Sequence, residues 1–345
     1  MTLPSSFPDP SFLGRGTAPS LRWGVVGAGH IAQEWVPAVR RFTDEQVVAV
    51  AARTAGRAEQ FAARFGIETA VGSAQQLLDL PQVDAVYVAT PDSEHVPIGL
   101  MAVAAGKHVL IEKPVAPSAD EALELFTAAA SAGVLAMEAM WTRYLPQFDV
   151  IRRLVADGVL GELELVVASA CRALVPARVA ADGAFDASAV AGMGVYPIAL
   201  ASDLLGTPSV VRALGRTTPA GGDLTASVLL GHAGGAQASI TTSIATRAPV
   251  TATISGTRAR VDLEEFFFNP TSFTLTTPEK IGTSLRWQEP TGMTLYDGLA
   301  WQALALAQFA GEGRVESPLH THAETVAILR TIESARAQLA PTAPR

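Results

Sequence analysis

The feature that most constrains this chain is a glycine-rich segment that follows an apolar strand and begins a helix. Residues 22–32 read RWGVVGAGHIA, so strand-length apolar residues lead directly into a GxGxxA pattern. Further apolar runs of strand length lie at residues 47–52, 83–89 and 108–111. Helical spacing alternates with them at residues 31–41, 57–65, 74–78, 96–105 and 119–132. This alternation predicts a doubly wound parallel sheet with helices on both faces.

The glycine-rich segment has the chemistry of a dinucleotide-binding turn. Gly27 permits a tight turn, Gly29 lets the backbone approach a pyrophosphate, and Ala32 allows close packing of helix on strand. The following helix N-terminus would face the phosphates. The alternative is an ordinary tight turn, but the strand-to-helix context favours the dinucleotide site.

The end of the second strand bears on which nicotinamide cofactor binds. An acidic residue there would hydrogen-bond the ribose 2′-hydroxyl of NAD, whereas this chain reads AART at residues 51–54. Arg53, Thr54 and Arg57 offer two guanidinium groups and a hydroxyl, which suit a 2′-phosphate. The pattern therefore favours NADP, with NAD still possible. Alternatively, Arg57 only solvates one face of its helix.

Two later strand ends add polar side chains that we expect to face the nicotinamide. One strand ends at Thr90 and Pro91 and leads towards His95, and the next ends at Glu112 and Lys113. A lysine desolvated at a strand end has a lowered pKa, which suits it for proton transfer or for polarising a carbonyl. The alternative for Lys113 is a structural ion pair with Glu112.

The second part of the chain changes to a β-rich pattern with frequent glycine and threonine. Strands are predicted at residues 163–170, 225–230, 236–243, 250–255 and 259–263, and helices at 189–205, 299–309 and 323–339. Closely spaced strands predict an α+β domain with a mostly antiparallel open sheet. We therefore divide the chain into a flexible tail at residues 1–20, a Rossmann domain at 21–141 and a substrate and dimerisation domain at 142–345.

Composition excludes several classes of partner. The chain has 345 residues with 49% hydrophobic and 17% charged residues, which suits a globular protein of two domains. A net charge of −8 with interleaved signs argues against nucleic acid, and no apolar run approaches membrane-spanning length. The single cysteine, Cys171, forms no internal disulfide and no Cys/His cluster for a metal, so we expect a cytoplasmic protein without bound metal.

Three segments together resemble the Gfo/Idh/MocA family of oxidoreductases. They are GAGHI at residues 27–31, AAGKHVLIEKP at 104–114 and MEAMWTRY at 137–144. The resemblance covers roughly residues 21–339 and is closest to the branch with dimeric dihydrodiol and NADP-dependent xylose dehydrogenases. It implies a Rossmann domain, a second domain whose open sheet makes a homodimer, and Lys113 as the catalytic lysine. The implied cofactor contacts are Gly27, Gly29, His30, Ile31, Thr90, Pro91, His95, Glu112 and Lys113.

The resemblance also points to residues in the second catalytic element and the substrate pocket. The family carries an aspartate four residues before a tyrosine or histidine; here Tyr196 matches, but Gly192 replaces the aspartate. A substitute carboxylate would be Asp186 or Asp203, or none. Trp141, Arg143 and Tyr196 are the implied substrate residues. Trp141 could equally be a core aromatic, and the alternative for Tyr196 is a core aromatic whose hydroxyl bonds to backbone.

These features lead to one main hypothesis and two alternatives. The main hypothesis is a dehydrogenase acting on CH–OH groups, which transfers hydride between NADP and a sugar, polyol or cyclic diol, with Lys113 and Tyr196 handling the hydroxyl proton. One alternative, motivated by Gly192, is a nucleotide-binding sensor or scaffold without turnover. The other is an enzyme that retains its cofactor through a redox cycle.

Overall fold

The chain divides into two compact units. The structure, a computed structural model, describes residues 3–10, 19–54, 56–174, 188–218, 220–279 and 281–339. One unit, here called the Rossmann unit, comprises Ser11–Leu145 and Met293–Val326. The other, here called the sheet unit, comprises Met1–Pro10, Pro146–Gly292 and Ala327–Arg345. None of the helices in the described ranges has the length and apolar character needed to cross a membrane.

The Rossmann unit contains a six-stranded sheet whose neighbouring strands all run parallel. The strand order is β3-β2-β1-β4-β5-β6. The strands are β1 Arg22–Val26, β2 Gln46–Ala51, β3 Thr69–Val71, β4 Ala85–Val88, β5 His108–Ile111 and β6 Ala136–Glu138. The reversal of strand order next to β1 creates the crevice in which such sheets bind ligands. The predicted doubly wound parallel sheet is confirmed.

Five helices accompany these strands. They are α1 His30–Phe42, α2 Arg57–Phe65, α3 Ala74–Leu78, α4 His95–Ala104 and α5 Ala119–Ala132, with short 3₁₀ turns at Asp92–Glu94 and Trp141–Tyr144. Local capping fixes several ends: Ser118 accepts a hydrogen bond from the backbone of Glu121, and Gly133 closes α5 in the left-handed conformation. In the core, the fully buried rings of Trp35 and Tyr87 stack with centroids 4.4 Å apart.

The sheet unit is built on an eight-stranded sheet of order β14-β13-β12-β11-β7-β10-β9-β8. The strands are β7 Leu163–Cys171, β8 Val210–Thr217, β9 Asp223–Gly231, β10 Gln237–Ser243, β11 Ala252–Gly256, β12 Arg260–Leu263, β13 Phe273–Thr276 and β14 Ser284–Trp287. All neighbours pair antiparallel except β7 with β10. The mostly antiparallel sheet is thus confirmed, with one parallel pair at its centre.

The described helices of the sheet unit are α6 Pro146–Ala156, α7 Ala189–Gly192 and α8 Val195–Leu205. The prediction of one helix over residues 189–205 was wrong, because the chain breaks it between Gly192 and Val195. Two glycines within three residues, Gly192 and Gly194, lower the helix propensity at that point. The break leaves Tyr196 in the first turn of a separate helix.

Two further helices, α9 Ala300–Gly311 and α10 His322–Arg336, follow β14 along the chain. The segment Met293–Val326 nevertheless packs within the Rossmann unit. There the backbone of Ala136 donates to Val315 at 3.2 Å and the Tyr144 hydroxyl donates to Ser317 at 3.0 Å. These bonds attach the segment beside β6.

Candidate dinucleotide and catalytic site

The loops that follow β1, β2 and β4 surround a cavity of about 770 Å³. Nine of the predicted cofactor residues line it: Gly27, Gly29, His30, Ile31, Arg53, Thr54, Arg57, Thr90 and Pro91. Ser73, Gln75, Glu94 and Met101 also line it and were not predicted. Ser73, Gln75 and Glu94 belong to helix starts or a short turn, Met101 lies inside α4, and none of the four is part of a motif.

The two glycines of the turn differ in their backbone angles and in the space around them. Gly27 has φ +105°, and a Cβ there would lie 2.3 Å from the carbonyl oxygen of Ala89, so only glycine fits the backbone. Gly29 is the N-cap of α1 with φ −81°, and a Cβ there would meet only ordinary contact, 3.8 Å from the same oxygen. The glycine at position 29 therefore leaves open the space into which a ligand can approach.

Two guanidinium groups lie on the β2 side of the cavity. Arg53 Nη1 is 2.9 Å from Glu94 Oε1, and the Arg53 side chain is 75% exposed. Arg57, the first residue of α2, donates from Nη2 to the backbone oxygen of Ala28 at 3.4 Å. The Arg57 side chain therefore contacts the glycine-rich turn and is not merely a solvent-exposed residue on its helix.

The polar groups of the cavity fit a dinucleotide. The Thr90 hydroxyl is buried and has no hydrogen-bond partner among the residues that the structure describes. The first turn of α1 contains no acidic residue, and Gly29 supplies no side-chain cap for its amides. Orphan amides and a helix N-terminus attract phosphate. The site thus offers donors for a pyrophosphate and, near the end of β4, the Thr90 hydroxyl, which has no partner among the described residues.

His95, which we expected to contact the cofactor, lies outside the cavity wall formed by the described residues. Its ring is 1% exposed, with Nδ1 2.8 Å from the Pro114 oxygen and Nε2 3.0 Å from the Thr90 oxygen. Both neighbours are backbone carbonyl oxygens. His95 thus connects the ends of β4 and β5.

Glu112 and Lys113 follow β5, and neither belongs to the described wall of the cavity. Glu112 is buried and accepts a hydrogen bond of 2.6 Å from the Tyr87 hydroxyl. Burial raises the pKa of the Glu112 carboxyl, against the opposing effects of the Tyr87 bond and of the charges on Lys113 and His95. Lys113 is half-buried, its backbone N–H donates to Glu112 Oε2 at 3.3 Å, and its peptide bond to Pro114 is cis.

A second buried pair holds the chain just after Lys113. Glu138 Oε1 accepts from the backbone of Val115 at 3.0 Å, and Glu138 Oε2 is 2.9 Å from His320 Nε2. Both side chains are 1% exposed. No sequence pattern indicates this pair, because 182 residues separate its members. It attaches β6 and the segment after β5 to the returning segment Met293–Val326.

The predicted substrate residues of the Rossmann unit are nearly buried. Trp141 is 3% exposed and stacks with Tyr296 at a centroid distance of 6.2 Å. Tyr296, which the sequence did not single out, also approaches the ring of His30 edge-on at 5.9 Å. Arg143 is 2% exposed and lies 3.6 Å from Glu324, which favours a structural role for its guanidinium.

Tyr196 lies in the sheet unit, in the first turn of α8. It is 9% exposed, and its ring stacks on Phe268 with centroids 4.5 Å apart. A Cβ at Gly192 would meet nothing within 4 Å, so the position of the missing aspartate has room for a side chain. Asp203 pairs with Arg152 at 3.0 Å, and Asp186 lies outside the described residues.

Comparison with known proteins decides the family. Residues 21–140 match the model of the oxidoreductase family with an NAD-binding Rossmann fold, and residues 148–262 match the GFO/IDH/MocA C-terminal domain. The trans-1,2-dihydrobenzene-1,2-diol dehydrogenase of Mus musculus is 33% identical over 336 residues, which cover 94% of this chain and 99% of the mouse protein. The chain belongs to the Gfo/Idh/MocA family. The corresponding human enzyme is 31% identical, with the same coverage of both chains.

Solved structures agree with this membership. A 3-ketoreductase from Actinomadura kijaniata, in complex with TDP-benzene and NADP, superposes with a TM-score of 0.77 at 25% identity, over 94% of this chain and 99% of that one. An NAD-binding oxidoreductase from Klebsiella pneumoniae shares the fold, with a TM-score of 0.81 at 22% identity over 93% and 97%. The chain is therefore an oxidoreductase with an NAD-binding Rossmann domain, which favours the main hypothesis over a scaffold without turnover.

Proposed function

We propose that this oxidoreductase is an NADP-dependent dehydrogenase acting on a hydroxyl-bearing carbon of a sugar, polyol or cyclic diol. The observation that carries the proposal is the pair Arg53 and Arg57 on the cavity wall, at a strand end where an NAD enzyme would have a carboxylate. Guanidinium groups suit the 2′-phosphate that distinguishes NADP.

One relative supports the proposed substrate class, and a second supports the proposed cofactor. The mouse relative is named for a cyclic diol, and the Actinomadura ketoreductase was solved with NADP. Oxidation of a CH–OH group releases a hydride and a proton. The bound nicotinamide would accept the hydride, so the chain must handle the proton and stabilise the charge that develops on oxygen.

Lys113 and Tyr196 are the residues that we propose for this work. The Lys113 ammonium would stabilise developing alkoxide charge, and Tyr196 would take up the proton as the phenolate in oxidation and return it from its hydroxyl in reduction. The Glu138–His320 pair supports Lys113 indirectly, since it holds the backbone of Val115 two residues further on. We expect turnover without the family aspartate, because these two side chains supply the charge stabilisation and the proton transfer themselves.

Kinetics of Lys113→Ala test the catalytic assignment. The change should lower kcat by about 100-fold or more, the usual contribution of a positioned acid or base, while the Kd for NADP stays within about threefold. Lys107→Ala is the matched control, because Lys107 donates to the backbone oxygens of Leu80 and Val83, away from the cavity. Equal losses of kcat and NADP affinity in Lys113→Ala would count against a catalytic role.

We further propose a cytoplasmic homodimer that forms through the sheet unit. Leu165, Val167, Leu214 and Leu229 are exposed by 36% to 79%. Strand register puts them on one face. Val167 pairs with Ser239, which pairs with Leu229. Leu165 lies two residues from Val167 on β7, and Leu214 lies on the same face of β8, the strand next to β9. An exposed apolar face of this kind is typical of an interface. The single buried cysteine, Cys171, fits a reducing compartment.

A further inference from the structure

Arg53 forms an ion pair with the Glu94 carboxylate of the same chain. Its ion pair with Glu94 joins the end of β2 to the 3₁₀ turn after β4. Because β1 lies between β2 and β4 in the sheet, this ion pair crosses the end of β1, where Gly27 and Gly29 form the glycine-rich turn. Both Arg53 and Glu94 line the same cavity.

We propose that Glu94 is a specificity-determining residue that competes with the 2′-phosphate of NADP for Arg53. The inference rests on the proposed role of Arg53. A guanidinium group that bonds a phosphate in a bidentate manner cannot keep the same geometry with a carboxylate. The Glu94 carboxylate also repels a phosphate that approaches Arg53. A ribose 2′-hydroxyl, in contrast, can donate a hydrogen bond to a carboxylate.

The cofactor preference of the chain is therefore a balance between two residues. Arg53 attracts the 2′-phosphate of NADP. Glu94 weakens this attraction, and its carboxylate can accept a hydrogen bond from the ribose 2′-hydroxyl of NAD. The side chains of Arg53 and Glu94 are 75% and 35% exposed, so water and salt screen their interaction. We expect a moderate effect on affinity that favours NADP when Glu94 loses its charge.

The test measures the Kd for NADP and for NAD by calorimetry at low salt. Glu94→Gln should tighten NADP binding by about fivefold, equivalent to about 1 kcal/mol, and change NAD binding by less than about twofold. Asp92→Asn is the matched control, because Asp92 is an exposed carboxylate of the same turn and its loss changes the net charge equally. It should shift the ratio of the two Kd values by less than about twofold.

A double variant separates competition for Arg53 from general electrostatics. In an Arg53→Gln background, Glu94→Gln should no longer improve the ratio of NADP to NAD affinity. An unchanged ratio in Glu94→Gln, or the same change in Asp92→Asn, would overturn the proposal. A wild-type chain that prefers NAD would contradict the proposed cofactor, yet Glu94→Gln should still shift the ratio towards NADP, so the two failures are distinguishable.

Discussion

Gly27 and Gly29 stand two residues apart, and only Gly27 is required by the backbone itself. At Gly27 a side chain would collide with backbone, whereas at Gly29 it would fill open space beside the first turn of α1. A motif read from sequence treats both glycines alike. Their backbone angles and surroundings separate a folding requirement from a binding requirement.

Alanine substitutions should separate these two requirements. Gly29→Ala should leave the free energy of unfolding within about 1 kcal/mol of wild type, while it weakens dinucleotide binding by about tenfold or more. Gly27→Ala should lower the free energy of unfolding by more than about 2 kcal/mol, because an L residue there is strained. Urea denaturation and cofactor titration measure both effects. Wild-type affinity in Gly29→Ala would refute the assignment of the turn.

The buried Glu112 predicts a pH dependence of stability. Because burial raises its pKa in the folded state, its contribution to stability is full below the unfolded pKa and is lost as pH rises through the folded pKa. Glu112→Gln keeps an acceptor for Tyr87 without the charge. The stability of Glu112→Gln relative to wild type should therefore increase from pH 5 to pH 8.

Urea denaturation of both cofactor-free proteins at the two pH values checks this. The other groups with a shifted pKa, among them Glu45, His108, His232 and His322, are common to the two proteins and largely cancel in the difference. A stability difference that is the same at pH 5 and pH 8 would mean that Glu112 is ionised in the folded state throughout this range, so that burial does not raise its pKa.

Sequence reasoning at the residue scale found what lies in local motifs. Gly27, Arg53 and Thr90 each follow a strand of the sheet, so their position at one edge could be predicted. Glu94, Tyr296 and the Glu138–His320 pair could not, because their contacts join segments that are distant along the chain and show no periodic pattern. His95 was found, and its ring bonds to two backbone oxygens, while its contact with the cofactor stays a prediction.

Among the elements, the turn before Tyr196 shows how the sheet unit fixes a predicted catalytic side chain. Asp223 is 1% exposed and accepts from the backbone of Val190 at 2.7 Å and from Arg336 Nε at 3.0 Å. Thr242 donates to the Ala189 oxygen at 2.9 Å. These bonds hold the short helix α7 against the sheet, and α7 leads directly to α8.

Removal of the Asp223 carboxylate should loosen this turn. Asp223→Ala leaves a buried backbone N–H without its acceptor, so the free energy of unfolding should fall by about 1–3 kcal/mol. Asp262→Ala, which removes a partly exposed carboxylate that pairs with Arg260, should cost less than about 1 kcal/mol. Urea denaturation of both variants makes the comparison. Equal losses would show that the bonds of Asp223 stabilise this turn no more than an exposed ion pair does.

Elements were predicted best where their ends carry a local signal. The bounds of α2, α3 and α5 agree with the prediction, since glycine or serine caps mark their ends. The three-residue strands β3 and β6 are too short for any periodicity to appear. The pairing of β7 with β10 is parallel because of long-range topology, which strand composition does not record.

For the whole molecule, the exposed apolar face of the sheet unit leads us to expect a homodimer. Leu229→Lys puts a charge into the apolar face formed by Leu165, Val167, Leu214 and Leu229, and it should halve the mass measured by light scattering. Leu123→Lys is the control, because Leu123 is a 48% exposed leucine on α5 of the Rossmann unit. A monomeric wild type, or an unchanged mass in Leu229→Lys, would contradict a dimer through this face.

The return of the segment Met293–Val326 to the Rossmann unit is a whole-molecule feature that sequence reasoning did not foresee. A boundary drawn from the change of strand rhythm assigns everything after residue 141 to one domain. The compact units are instead discontinuous, because the bonds of Val315, Ser317 and His320 connect the late segment to β6 and the turn after it.

We propose that NADP-dependent hydride transfer proceeds in this chain with Gly192 in place of the family's aspartate. Absorbance in the reduced-nicotinamide band tests this, with NADP or NAD and a panel of aldoses, polyols and cyclic diols. We expect turnover of at least one of these substrates, faster with NADP than with NAD. Tight NADP binding without turnover of any of them would contradict the proposal.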